Sequence, residues 1–186
     1  CAFHVNVLLG SLTPTFAIST DTVQYSDAVT FTATIPNGAG TVPAAQSVTF
    51  KVGTQSIGTA TLSVSGNDLI AVLNAAQMVE PTPYGTAPTG QMAPGVKQVS
   101  AIFNNINPAI PMTPVLFDTL VITPENAQVN YTGMRFVNTT SAGSGNAVVS
   151  LTATVNDPAL FIGATDVLYG DVRNATVTFL NRDDGT

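Results

Sequence analysis

The stretch Val29-Thr-Phe-Thr-Ala-Thr-Ile35, followed by Val48-Thr-Phe-Lys-Val52 and the turn residues Gly53-Thr-Gln-Ser56, decides how this chain is read. Apolar residues at every second position put one set of side chains on one face, which is the period of a half-buried strand. The same text returns as Val149-Ser-Leu-Thr-Ala-Thr-Val155, then Val177-Thr-Phe-Leu180 and the turn residues Asp183-Asp-Gly185. Self-similarity at a spacing of about 120 residues is the mark of an array of like domains. The first occurrence runs on through further strand-like segments to Thr123, whereas the second reaches Thr186 just after its third strand. The expected organisation is a terminal strand over 1–11, a complete domain over 12–123 and an incomplete second domain over 124–186.

Working outward, the rest of the chain reads as short strands separated by turn chemistry. Phe3, Val5, Val7 and Leu9 alternate with His4, Asn6 and Leu8. Strands are expected at Thr15–Ser19, Ala28–Ile35, Ser47–Val52, Ile57–Val64, Leu69–Val79, Val96–Phe103 and Leu116–Ile122, and in the second copy at Ala127–Tyr131, Ala147–Val155 and Val172–Leu180. Pro36-Asn-Gly38 and Gly66-Asn-Asp68 supply residues that accept the positive φ of tight turns. Leu69–Val79 is rich in Ala and admits a helical turn or two, but Ile70, Val72 and Leu73 favour a strand. Glu80–Pro94 and Asn104–Pro114 are Pro-rich loops, and Thr123-Pro-Glu125 is the expected linker because Pro removes a donor and stiffens the join. No segment sustains a helical period, so the fold class is all-β, an antiparallel β-sandwich.

Composition narrows the function classes. Of 186 residues 45% are hydrophobic, enough for real cores, and only 9% are charged. Five Lys and Arg stand against eleven Asp and Glu, a net charge of −6, and no basic run occurs. Nucleic-acid binding needs a cationic footprint to neutralise phosphates, so it is set aside. No apolar run reaches the about 18 residues that a membrane helix needs. Cys1 is the single cysteine, which removes internal disulfides and Cys-based metal sites. Its alternatives are a lipid-anchored terminus, an intermolecular disulfide or the edge of an excerpt.

Ser47-Val-Thr-Phe-Lys-Val-Gly-Thr-Gln-Ser-Ile-Gly-Thr-Ala-Thr-Leu62 resembles the bacterial Ig-like repeats that stand in tandem on surface and secreted proteins. Gly95-Val-Lys-Gln-Val-Ser-Ala-Ile-Phe103 looks like a later strand of that family, with Phe103 where the family usually has Tyr. The likeness covers Pro14–Thr123 and, more weakly, Glu125–Thr186. It implies an Ig-like sandwich and a place in extracellular stalks, adhesins, fibres or spacer modules, and it supplies no catalytic residue.

The side chains that carry chemistry are few. His4 is the one general base, and its alternation opposite Phe3 and Val5 reads as an outward strand residue, so enzyme activity is not expected. Asp157, Asp171, Asp183 and Asp184, with Asp166 beside them, are candidate ligands for a structural calcium ion, which takes six to eight oxygens. The bland alternative is that each Asp caps its own turn. Sequons stand at Asn130, Asn138 and Asn174, a number this Asn- and Thr-rich composition yields by chance. Tyr84 in the first Pro-rich loop, and Tyr169, are the candidate platforms for stacking a sugar.

A sandwich that ends at its third strand exposes an apolar face and unpaired edges, which proteins avoid. Two completions are open. Phe3, Val5, Val7 and Leu9 of a neighbouring subunit are the candidate donor strand, a head-to-tail contact that propagates into a filament. Alternatively, the chain is an excerpt of a longer array whose flanking strands complete it. Both lead to a non-enzymatic extracellular or cell-surface protein whose partners are copies of itself, neighbouring repeats or a host or matrix ligand. The competing class is an accessory carbohydrate-binding or spacer module of a secreted enzyme or phage-tail protein.

Overall fold

Alternation is visible at once in the burial of β3 (Ala28–Ile35), where Val29, Phe31, Ala33 and Ile35 are buried and the residues between them are half-exposed. The structure, a computed structural model, describes residues 11–40, 42, 46–79, 92–107, 110–158, 170 and 172–181. It is all-β, with several sheets, and the described chain divides into two compact units, one ending at Pro124 and the other running on from Glu125.

The first unit adds β1 (Thr15–Ile18), β2 (Thr22–Gln24), β4 (Ser47–Val52), β5 (Gln55–Thr61), β6 (Ser63–Ser65), β7 (Asp68–Gln77), β8 (Gly95–Asn104) and β9 (Val115–Thr123). One sheet runs in the order β1-β3-β7-β6 and the other in the order β2-β9-β8-β4-β5. All pairings in them are antiparallel except that of β2 with β9. The core lies between the sheets. Val29, Phe31, Ala33, Ile35, Leu69 and Ala71 from one sheet meet Val48, Phe50, Val52, Val99, Ala101, Phe103, Leu120 and Ile122 from the other. At its centre the rings of Phe16, Phe31 and Phe50 lie 5.9–6.2 Å apart between centroids, within range for attractive aromatic packing.

β3 and β4 occupy the residues expected from their alternation. The segment read as one strand over Ile57–Val64 is two strands in different sheets. β5 pairs with β4, then Leu62 turns inward, buried, with its N–H donated to the Gln46 carbonyl, and β6 pairs with β7. β7 is a strand, as the β-branched residues favoured. A register shift opposite Val29 and Phe31 and a positive φ of 49° at Ala75 interrupt it. This bulge moves the inward phase from Leu69, Ala71 and Leu73 to Ala76 and Met78, which is why the segment lacked clean alternation.

The second unit holds β10 (Gln128–Tyr131) and β11 (Ala153–Asn156), an antiparallel pair. Two expectations need correction here. The strand read over Ala147–Val155 begins only at Ala153, and the strand read over Val172–Leu180 is a 3-10 turn at Val172–Asn174 followed by residues without regular pairing. A strand is as long as the neighbours that pair with it. β3 is flanked by β1 and β7, and β4 by β5 and β8, whereas among the described residues β11 has β10 alone.

Candidate docking face on the second unit

The pairing of β10 with β11 repeats that of β1 with β3, position by position. Asn130 stands opposite Thr154 as Thr15 stands opposite Thr34, and Tyr131 opposite Ala153 as Phe16 opposite Ala33. Beyond the strands, the Thr132 N–H donates to the Thr152 carbonyl and the Met134 N–H to the Ser150 carbonyl, as the Ser19 N–H donates to the Thr30 carbonyl. The aromatic contact returns too. Tyr131 meets Phe179 edge-on at 6.4 Å between ring centroids, and Phe16 meets Phe50 at 6.1 Å. Phe179 is the residue of Val177-Thr-Phe179 that corresponds to Phe50 of Val48-Thr-Phe50. Strand or not, this segment therefore brings its ring to the same partner. Tyr131 is held further by its hydroxyl, which donates to the Met134 carbonyl at 2.7 Å.

The two units differ in what covers these positions. Val29, Phe31 and Phe50 are each 0% exposed, while their counterparts Val149, Leu151 and Phe179 are 47%, 51% and 40% exposed. Val129 and Tyr131 lie on the same side, 54% and 40% exposed. In the first unit β7 lies along the far edge of β3, with Leu69 opposite Ile35, Ala71 opposite Ala33 and Leu73 opposite Phe31. Among the described residues the equivalent edge of β11 carries no strand. Among the described residues this leaves an apolar face beside a row of backbone donors and acceptors that no strand pairs, the arrangement to which an extended segment adds.

Of the candidate calcium ligands, Asp157 is described. It is buried directly after β11 and accepts a hydrogen bond from the Gly170 N–H. Glu125, which the sequence reading did not single out, reaches the same place, since a Cβ on Gly170 would collide with its side chain. Asp166, Asp171, Asp183 and Asp184 lie outside the described residues, and among those described no three His, Cys, Asp or Glu are grouped to hold an ion. Asn130 is exposed on β10, and Asn138 is exposed in the connection that follows. That connection is closed by Thr140 N–H to Asn146 carbonyl and Ser144 N–H to Ser141 carbonyl hydrogen bonds. The third sequon residue, Asn174, ends the 3-10 turn, with its side chain outside the description. Phe3, Val5, Val7, Leu9, His4, Tyr84 and Tyr169 also lie outside it.

No helix of the described residues is long and apolar enough to cross a membrane. A comparison of the chain with models of protein families and with curated protein sequences finds no match.

Proposed function

We propose that the protein is a non-enzymatic Ig-like repeat protein, extracellular or at the cell surface, whose work is structural or adhesive as part of a stalk or a head-to-tail fibre. The observation that carries this reading is the return of the β1–β3 register and the Phe16–Phe50 contact as the β10–β11 register and the Tyr131–Phe179 contact. Two units of one design in series are how span is built from a small sandwich, because each repeat adds length without a new fold. The Ig-like assignment is supported by strand order. β1-β3-β7-β6 facing β2-β9-β8-β4-β5 corresponds to the four-stranded sheet and the enlarged second sheet of an Ig-like sandwich, the first strand being split between them. The low charge, −6 over 186 residues, suits a surface that meets other copies without strong repulsion.

Electron microscopy of the purified chain with and without residues 1–9 tests the reading. Filaments that vanish on deletion are expected for a fibre subunit, and single particles in both samples restrict the protein to a stalk repeat. Saturable glycan binding abolished by Tyr84→Ala would overturn the structural reading in favour of a carbohydrate-binding module.

A further inference from the structure

We propose that the open edge of β11 is completed by Phe3–Leu9 of a second copy of this chain, laid antiparallel in the position that β7 holds against β3. The proposal rests on the head-to-tail reading above and adds to it the face, the direction and the register of the contact.

The first unit is the template. The inward residues of β3 facing β7 are Phe31, Ala33 and Ile35, and the corresponding residues of the second unit are Leu151, Ala153 and Val155, the same text with two side chains reduced in size. The face that needs covering is made of Val129, Tyr131, Leu151, Ala153, Val155 and Phe179. An occupant must alternate apolar residues over about four positions and carry no charge toward that face, because an unpaired charge buried there would be costly. Residues 1–10 contain no Asp, Glu, Lys or Arg, and Phe3, Val5, Val7 and Leu9 supply the alternation.

Register follows from the template. With Leu69 opposite Ile35, Ala71 opposite Ala33 and Leu73 opposite Phe31, the donor places Phe3 opposite Val155, Val5 opposite Ala153 and Val7 opposite Leu151, and a donor that continues straight, without the bulge that β7 makes at Ala75, places Leu9 opposite Val149. Volume is kept where Phe3 against Val155 replaces Leu69 against Ile35, and is reduced where Val7 against Leu151 replaces Leu73 against Phe31. A slip by one residue would turn His4, Asn6 and Leu8 toward the apolar face, so the pairing is specified by side-chain period as well as by backbone bonds. The contact is heterologous, an end of one copy on a side of the next.

The test is disulfide trapping in the full chain, with Cys1→Ser removing the native thiol and Leu9→Cys combined with Val149→Cys. Cysteines facing each other across antiparallel strands meet the Cα and Cβ separations that a disulfide requires. Mild oxidation is expected to give a ladder of covalent oligomers, and Leu9→Cys with Val148→Cys, one residue out of phase, is expected to give at least tenfold less. Leu151→Asp, at a half-exposed site, is expected to abolish the ladder while leaving the thermal unfolding of the first unit unchanged. A disulfide closed within single chains would overturn the second copy as donor. Filaments that form while oxidation joins no Leu9 thiol to a Val149 thiol would overturn the register while leaving the fibre reading intact. Capture of a synthetic peptide with the β7 sequence Asp68–Gln77 at this edge, with no ladder from the chain itself, would overturn Phe3–Leu9 as the occupant.

Discussion

Phe31 and Phe50 face each other across the first unit with 5.9 Å between ring centroids, both fully buried, and Phe16 packs on each. Truncating a large ring in such a place removes its transfer free energy and leaves a cavity that the surrounding strands close only in part. Phe31→Ala and Phe50→Ala are each expected to destabilise the first unit by about 3–5 kcal/mol, read as a shift in the urea midpoint at unchanged slope. The same text in the second unit should answer differently. Leu151 corresponds to Phe31 but is 51% exposed, so Leu151→Ala in the monomeric chain is expected to cost under about 1 kcal/mol. A large cost at Leu151 would mean that the face is already covered in the isolated chain. One sequence pattern thus has two energetic meanings, and the difference lies in the neighbours rather than in the residue.

At the scale of elements, the hairpins are set by two glycines. Val52 pairs with Gln55 and Ser65 with Asp68, so each hairpin has a two-residue loop, Gly53-Thr54 and Gly66-Asn67. Gly53 has φ 56° and Gly66 φ 63°, while neither loop's second residue takes a positive φ, the pattern of a type II′ turn. Gly66→Ala would push an L side chain into the left-handed region, and a loss of about 1–2 kcal/mol is expected in equilibrium unfolding. The alternation in Ala28–Ile35 and Ser47–Val52, bounded by Pro and Gly, was enough to read β3 and β4 to the residue. The sequence offered less where the chain changes sheets. β2 is three residues long, too short for a period to register, and the crossing at Leu62 lies inside residues 59–64, a run with no Gly or Pro to mark it. The bulge at Ala75 hides its own signal by shifting phase in mid-strand. At the candidate site, the repeated text was legible, but the Tyr131–Phe179 contact was not, because a contact between residues so far apart in sequence depends on the fold that joins them.

Across the whole molecule the two units should differ in local stability. Backbone amides of β3, β4 and β8 sit in strands flanked on both sides, over a core of fully buried residues, whereas β10 and β11 pair only with each other among the described residues. Hydrogen exchange of the monomeric chain is expected to run at least roughly tenfold slower for the former than for the latter, since opening of an edge pair costs less than opening a central strand. Equal protection in both would contradict the exposed state of Val149, Leu151 and Phe179. The parallel pairing of β2 with β9 has a consequence of another kind. Thr22 lies beside Val121, Val23 beside Ile122 and Gln24 beside Thr123, and bonds from the Val121 N–H to the Asp21 carbonyl and from the Tyr25 N–H to the Thr123 carbonyl flank them at 2.8 and 2.9 Å. β2 lies near the start of the first unit and β9 at its end, and because they run the same way, tension drawing the two ends apart slides one strand lengthwise past the other. The hydrogen bonds between them are then strained together instead of being peeled one at a time, so the weak bonds of a three-residue strand resist pulling as a group.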